Sequence, residues 1–230
     1  CALNANAFDT VMYARPGGVK SPVGSIRCDS LRQSGLISGT GQELAEQSWL
    51  KLKQSGWTEQ ALKAGSISTA FDLWRAVNVT YASAYLRASP DNMPCGFHFE
   101  TLDVAGKPQK VNEIEQLTWW SDGTGIPPTN GVGIVDSYAS GLDLAYKGLS
   151  CLRSLWQTDT NEAQLLQASV QQTKTKQPRS GLPILVIHGL SDGLVPIAFT
   201  SEPYVKFVRG KNSTLSYWQI ENAQHFDAFL

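Results

Sequence analysis

Two residues near the end of the sequence, Asp192 and His225, have the types and the spacing of an acid–base pair. Asp192 lies in a glycine-flanked turn after the apolar run 183–188, and His225 comes just after the next apolar run. In open α/β sheets, catalytic groups collect at the carboxyl ends of the strands. A carboxylate there orients a neighbouring imidazole and stabilises its protonated form. The pattern predicts a catalytic pair, against the alternative that Asp192 caps the following helix and His225 is an ordinary surface histidine.

Such a pair needs a nucleophile, and the sequence offers one poor candidate. Residues 189–193 read Gly-Leu-Ser-Asp-Gly, which matches the G-x-S-x-G pattern of a nucleophile elbow. If Ser191 were the nucleophile, the acid would have to be Glu202, Glu221 or Asp227, and none of these follows a predicted strand at that edge. A charged residue directly after the serine also fits the tight elbow poorly. We therefore expect the nucleophile to be a residue other than Ser191.

The other titratable residues do not indicate a metal or a cofactor. His188 ends the apolar run and His98 lies in an aromatic segment, where a histidine is usually a hydrogen-bonded part of the structure. No His, Asp and Glu cluster has metal-ligand spacing, and neither a P-loop nor a GxGxxG motif is present. No CxxC pair occurs among Cys1, Cys28, Cys95 and Cys151, which argues against a zinc site or a thioredoxin-like motif. The four cysteines fit disulfides in an exported protein and buried thiols in a cytosolic one equally well.

Composition narrows the class of protein. The sequence has 230 residues, of which 42% are hydrophobic, enough for one large domain or two modest ones. A net charge of −1 without runs of Lys or Arg argues against nucleic-acid binding. No apolar stretch reaches the length of a membrane span. Only 17% of the residues are charged, which suits an exported protein.

The elements that would position Asp192 and His225 follow Pro178. The run 183–188 (PILVIH) predicts a strand buried on both faces of a parallel sheet, residues 199–209 predict a helix, and 214–220 predict a second strand. We expect the two strands to be adjacent and parallel, joined by the helix. The loops that follow them would then carry the acid and the base to the same edge.

The preceding chain reads as a mostly helical block. Its helices are predicted to begin at Thr40, which forms a capping box with Glu43, and further helices follow at 58, 69–86, around 114–120, 142–156 and after the capping residue Asn161. Residues 97–102 predict a strand in a hairpin that turns near Gly106, and 121–133 predict a long loop.

With these residues in view, the sequence resembles the D-(−)-3-hydroxybutyrate oligomer hydrolases, bacterial serine esterases that cut short oligomers released from polyhydroxybutyrate. The most specific match is Ala-Gln-His-Phe-Asp-Ala-Phe at 223–229, joined by His188-Gly189, Asp192 and the Thr-Ser-x-Pro-Tyr run at 200–204. The resemblance implies an α/β-hydrolase fold in which Asp192 is the triad acid and His225 the base. It covers most of the chain, since it continues upstream at 78–82, 92–97, 125–128 and 151–153.

The resemblance also implies that part of the enzyme lies outside this chain. Family members are considerably longer, and their nucleophilic serine and oxyanion-hole loop lie upstream of the region that matches Cys1. We therefore interpret residues 1–29 as a connection from the upstream core, 30–150 as a mostly helical cap (lid) domain and 151–230 as the C-terminal part of the α/β-hydrolase sheet.

The expected activity is hydrolysis of short 3-hydroxybutyrate oligomers by a Ser-Asp-His triad, with the serine supplied by the upstream segment and no cofactor. A secreted or periplasmic location is favoured, and a cytoplasmic one stays open. Two alternatives remain: another lidded carboxylesterase of the tannase or feruloyl esterase type, and a catalytically inactive hydrolase-like binding module.

Overall fold

The computed structural model describes residues 1–5, 22–65, 73–103, 107–110, 112–119, 132–138, 143–210 and 214–225. The chain divides into two compact units: unit 1 comprises Cys1–Leu73 and Thr175–Leu230, and unit 2 comprises Trp74–Lys174. The domain limits expected from the sequence, at 29 and 150, stay a prediction.

Helices and strands alternate irregularly along the described chain. The helices are α1 (Pro22–Gln33), α2 (Gln42–Gln54), α3 (Glu59–Ala64), α4 (Leu73–Leu86), α5 (Glu113–Thr118), α6 (Tyr146–Ser154), α7 (Asn161–Thr173) and α8 (Ser201–Arg209). The strands are β1 (Phe97–Leu102), β2 (Pro108–Gln109), β3 (Val132–Asp136), β4 (Ile184–Gly189) and β5 (Leu215–Ile220). No helix in the described segments is both long enough and apolar enough to cross a membrane.

Unit 1 contains the predicted strand–helix–strand arrangement. β4 and β5 pair in parallel, from Ile184 opposite Leu215 to Gly189 opposite Ile220, and α8 connects them. The amphipathic α8 packs against both strands and buries Val205 and Val208. The expectation of adjacent parallel strands joined by a helix is therefore confirmed.

The second face of this strand pair is not covered by any described residue. Leu185, Ile187 and Trp218 are 52%, 57% and 56% exposed, and Ile220 beside them is exposed too. Because side chains alternate along a strand, these four share one face, which we call the open sheet face. The prediction that 183–188 is buried on both faces is therefore wrong for this chain, since α8 covers one face only.

The N-terminal part of unit 1 is a small helical core tied by a disulfide between Cys1 and Cys28. Its first helix, α1, precedes the predicted helical start at Thr40, so that prediction is wrong. The predicted capping box forms only in part: Thr40 N–H donates to Glu43 Oε2 at 3.0 Å, but Gly41 is the N-cap of α2. The Thr58 cap of α3 is confirmed by its hydrogen bond from Ala61 N–H. The buried core residues are Ala5, Cys28, Ile37, Leu44, Ala45, Trp49 and Leu62.

Unit 2 packs helices around a three-stranded antiparallel sheet of order β2-β1-β3. β1 confirms the strand predicted at 97–102, whereas β3 begins inside the segment predicted as a loop. A disulfide between Cys95 and Cys151 joins the turn before β1 to α6. The core beside it includes Val79, Phe97, Ala145, Leu152, Leu155, Ala163 and Leu166.

Helix ends in unit 2 differ from the predicted ones by a few residues. α6 spans Tyr146–Ser154 and is therefore shorter than the helix predicted at 142–156, whereas α4 ends at Leu86 as predicted. Thr160, one residue before the predicted Asn161, caps α7 by accepting from Ala163 N–H. The predicted start of α4 at 69, the turn at Gly106 and Trp120 lie outside the described residues.

Candidate active site

Asp192 lies in the turn that leaves the carboxyl end of β4. Its buried side chain accepts hydrogen bonds through Oδ1 from the backbone N–H groups of Leu194 and Val195, at 2.9 and 2.8 Å. The local capping role of an aspartate in a turn is therefore real. The two hydrogen bonds of this turn use only one of the two carboxylate oxygens, Oδ1.

The second oxygen of Asp192 faces His225, which lies just after β5. The distance from His225 Nδ1 to Asp192 Oδ2 is 3.0 Å, so the predicted contact between the two residues is confirmed. A carboxylate accepts hydrogen bonds, and Nδ1–H is therefore the donor of this bond. In the neutral ring this tautomer places the lone pair on Nε2, the atom that takes a proton in general-base catalysis.

Opposing effects act on the Asp192 carboxyl group. Burial by itself raises its pKa, but the hydrogen bonds from Val195 N–H, His225 and Leu194 N–H favour the charged form. Together with attraction to the His225 ring, they outweigh burial and hold the pKa of Asp192 below its ordinary value. Asp192 is therefore an ionised carboxylate at neutral pH, as the orienting acid of such a pair must be.

His188, near the end of β4, approaches the same carboxylate oxygen as His225. Its Nε2 is 3.5 Å from Asp192 Oδ2, and this buried nitrogen makes no hydrogen bond to a described residue. The sequence predicts His188 to be a hydrogen-bonded structural residue, and the structure instead places it beside the candidate pair. The signal for this neighbour in the sequence is its spacing of i, i+4 from Asp192 across the end of a strand.

Close backbone contacts fix the two loops that carry Asp192 and His225. Leu190 N–H donates to Ile220 O at 2.9 Å, and Ser191 N–H donates to Ala223 O at 3.0 Å. A Cβ atom at Gly189 would collide with the backbone of Ala223, so only glycine permits this approach. The loop after β5 is thereby held against the turn after β4.

The remaining histidine, His98, lies in β1 of unit 2. Its Nε2 is 2.9 Å from Glu100 Oε1, and its Nδ1 is 3.2 Å from Gly96 O. The expectation that His98 is a hydrogen-bonded part of the structure is confirmed. Within the described ranges, no cluster of three or more His, Cys, Asp or Glu residues could hold a metal ion.

Comparison with known proteins identifies a family to which this chain is similar. The family model described as 3HB-oligomer hydrolase matches residues 1–230. The D-(−)-3-hydroxybutyrate oligomer hydrolase of Paracidovorax citrulli is 34% identical over 247 residues, which covers 100% of this chain and 35% of that protein. The enzyme of the same name from Cupriavidus necator is 34% identical over 251 residues, with 100% and 35% covered. That from Cupriavidus pinatubonensis is 34% identical over 224 residues, with 89% and 32% covered.

The chain thus spans about a third of the length of the curated relatives that it matches. No solved structure matches it at a significant level.

Proposed function

This chain belongs to the 3HB-oligomer hydrolase family, and from that premise we propose that it supplies the acid and the base of a serine esterase that cleaves short 3-hydroxybutyrate oligomers. Asp192 is the acid and His225 the base. The nucleophilic serine lies in polypeptide outside this chain, in the part of the protein that the longer relatives contain. The observation that carries this proposal is the 3.0 Å hydrogen bond between His225 Nδ1 and the buried Asp192.

In the proposed reaction, the serine Oγ attacks the carbonyl carbon of the ester while His225 Nε2 takes the hydroxyl proton. Asp192 stabilises the imidazolium that forms and keeps the ring oriented. Collapse of the tetrahedral intermediate breaks the bond to the alkoxy oxygen, which takes the proton from Nε2 and leaves as an alcohol. A water molecule then attacks the acyl-enzyme by the same route, releasing the acid and restoring the serine.

The open sheet face supports the view that polypeptide outside this chain covers it. Parallel sheets are normally covered on both faces. Leu185, Ile187 and Trp218 have the apolar character of buried positions but are exposed here. We propose that the rest of the protein covers this face and completes an α/β-hydrolase sheet, and that the region 30–150 acts as its cap.

The disulfides support export of the protein. Cysteine pairs such as Cys1–Cys28 and Cys95–Cys151 form and persist in oxidising compartments. We therefore favour a secreted or periplasmic location. Thiol titration of the protein purified without reductant should find all four cysteines unreactive, whereas reactive thiols would contradict this assignment.

The test is hydrolysis of the 3-hydroxybutyrate trimer by the full-length protein. His225→Ala should lower kcat/KM by about 10³-fold or more, because removing a triad member costs several orders of magnitude. The matched control Asp91→Asn, an exposed carboxylate of unit 2, should leave activity unchanged. Binding of the trimer without hydrolysis by the unmodified protein would instead favour the inactive binding module. Preference for feruloyl or galloyl esters would favour the other esterase.

A further inference from the structure

A groove in unit 2 runs between α4 and α6 and has a volume of about 460 Å³. Its walls are one face of each helix, and Leu166 of α7 closes one part of it. Pockets that bind small organic molecules typically measure about 300–1,000 Å³. The groove is therefore of a size that suits a small ligand.

The lining of this groove is mostly apolar and aromatic. Leu152 and Leu166 are buried at its base, while Tyr81 and Trp156 at its rim are 60% and 55% exposed. The rings of Tyr81 and Tyr85 lie 6.2 Å apart, so they form one aromatic wall. Large apolar side chains that line an exposed groove are typical of a ligand-binding surface.

Among the described residues that line the groove, Arg153 is the one that carries a charge. Its exposed guanidinium forms no ion pair with a described carboxylate. A guanidinium binds carboxylates through two parallel N–H···O bonds, which makes it selective for a planar anion. A single cation in an apolar groove therefore suits a ligand with an aliphatic body and one carboxylate end.

We propose that this groove binds the carboxylate end of a short 3-hydroxyalkanoate oligomer, as a site additional to the Asp192–His225 pair. The carboxylate pairs with Arg153, and the methyl-bearing chain lies on Leu152, Leu166 and Trp156. The Tyr81 hydroxyl is placed at the rim to donate to an ester carbonyl. The identity of the ligand rests on the proposed function, whereas the preference for an apolar carboxylate rests on the groove alone.

Binding at this groove has a local probe in Trp156. The full-length protein carrying His225→Ala, which should not cleave the ligand, is labelled with 5-fluorotryptophan, and Trp156→Phe identifies the Trp156 resonance. Titration with the linear 3-hydroxybutyrate trimer acid should shift that resonance to saturation. The methyl ester of the trimer, which lacks the carboxylate, should bind about tenfold more weakly or worse.

Substitutions of Arg153 separate charge recognition from a structural role. Arg153→Gln should weaken binding of the trimer acid about tenfold or more and leave the methyl ester unaffected, while Arg153→Lys should retain part of the affinity. The matched control Lys147→Gln removes an exposed positive charge from the same helix without touching the groove, and should change neither. A Trp156 resonance that the acid does not shift, or equal binding of acid and ester, would overturn the proposal.

Failure of the site and failure of the proposed function give different results. Trimer hydrolysis that depends on His225, together with an unresponsive Trp156, would remove the groove site and leave the esterase assignment intact. Absence of hydrolysis, together with saturable binding that depends on Arg153, would remove the esterase assignment and leave the groove site intact.

Discussion

At the scale of single residues, the two oxygens of Asp192 accept hydrogen bonds from different partners. Oδ1 holds the turn after β4 through two backbone N–H groups, and Oδ2 receives His225. An asparagine at this position keeps an oxygen for the turn but presents an amide N–H₂ to the ring nitrogen. The turn should therefore survive this substitution, whereas the tautomer of His225 should not.

The pH dependence of stability should report the Asp192 carboxylate. Its folded-state pKa is lowered, so the stabilisation that it gives is complete above its unfolded-state pKa of about 3.9 and is lost as the pH falls through the folded-state value. Asp192→Asn should lower the free energy of unfolding by about 1–3 kcal/mol near pH 7, because hydrogen bonds to a charged group are lost. In urea unfolding from pH 7 to pH 3, this difference should be constant down to about pH 5 and shrink below about pH 4.

The control for this experiment is Asp91→Asn, an exposed carboxylate, for which the difference in free energy of unfolding should stay near zero throughout. A difference between Asp192→Asn and the unmodified protein that grows at low pH would contradict the ionised, hydrogen-bonded carboxylate described above.

Alanine substitution of Ser191 and of His225 should differ in its effect on turnover by the full-length protein. His225→Ala should abolish turnover of the trimer while the thermal unfolding temperature stays close to that of the unmodified protein, because the exposed ring adds little to the core. Ser191→Ala should be nearly silent in both measurements. Equal loss of activity in the two variants would make Ser191 the nucleophile and remove the need for a serine outside this chain.

At the scale of elements, the contact between the loops after β4 and β5 depends on glycine. Gly189→Ala should lower the free energy of unfolding by about 1–3 kcal/mol, the cost of forcing a methyl group into a closed space. Gly210→Ala, in the same unit with φ of −62° and open space around the site, is the matched control and should change stability little. Chemical denaturation of the two variants measures both effects, and equal effects would contradict the close approach to Ala223.

The sequence predicts the elements around the candidate site better than those elsewhere. The strand–helix–strand arrangement is predictable because a dense apolar run, an amphipathic helix and a second apolar run follow one another between Pro183 and Ile220. The contact between Asp192 and His225 follows from that arrangement, since parallel strands carry their following loops to one edge. Their catalytic role stays a prediction.

Other elements depend on information that local patterns do not contain. β3 includes Gly133, a poor strand former, but it pairs with β1, which supplies its hydrogen bonds through a tertiary contact. α1 has a weakly amphipathic sequence and is held by the disulfide at Cys28. The exposure of Ile187 also cannot be predicted from the local sequence, because an apolar run does not indicate whether the layer that covers it belongs to the same chain.

At the scale of the whole molecule, the open sheet face should make the stability of this chain differ from that of the full-length protein. Ile187→Ala should cost less than about 1 kcal/mol in the 230-residue chain, where the side chain is already exposed, and about 2–4 kcal/mol in the full-length protein. Val205→Ala, at a site buried by α8, should cost a similar amount in both. Calorimetry or urea unfolding of the four variants tests this, and an equal effect of Ile187→Ala in the two proteins would argue that the face stays uncovered.

The disulfide between Cys95 and Cys151 has a consequence for damaged copies of the protein. A protease that cuts one peptide bond anywhere between these cysteines produces two pieces that remain joined through sulfur. The nicked molecule keeps its mass, apart from one added water, and separates into fragments only after reduction. Because α4 precedes Cys95 and α6 contains Cys151, both walls of the groove stay on one covalent assembly. The cross-link therefore keeps the two pieces of unit 2 together after its backbone has been cut.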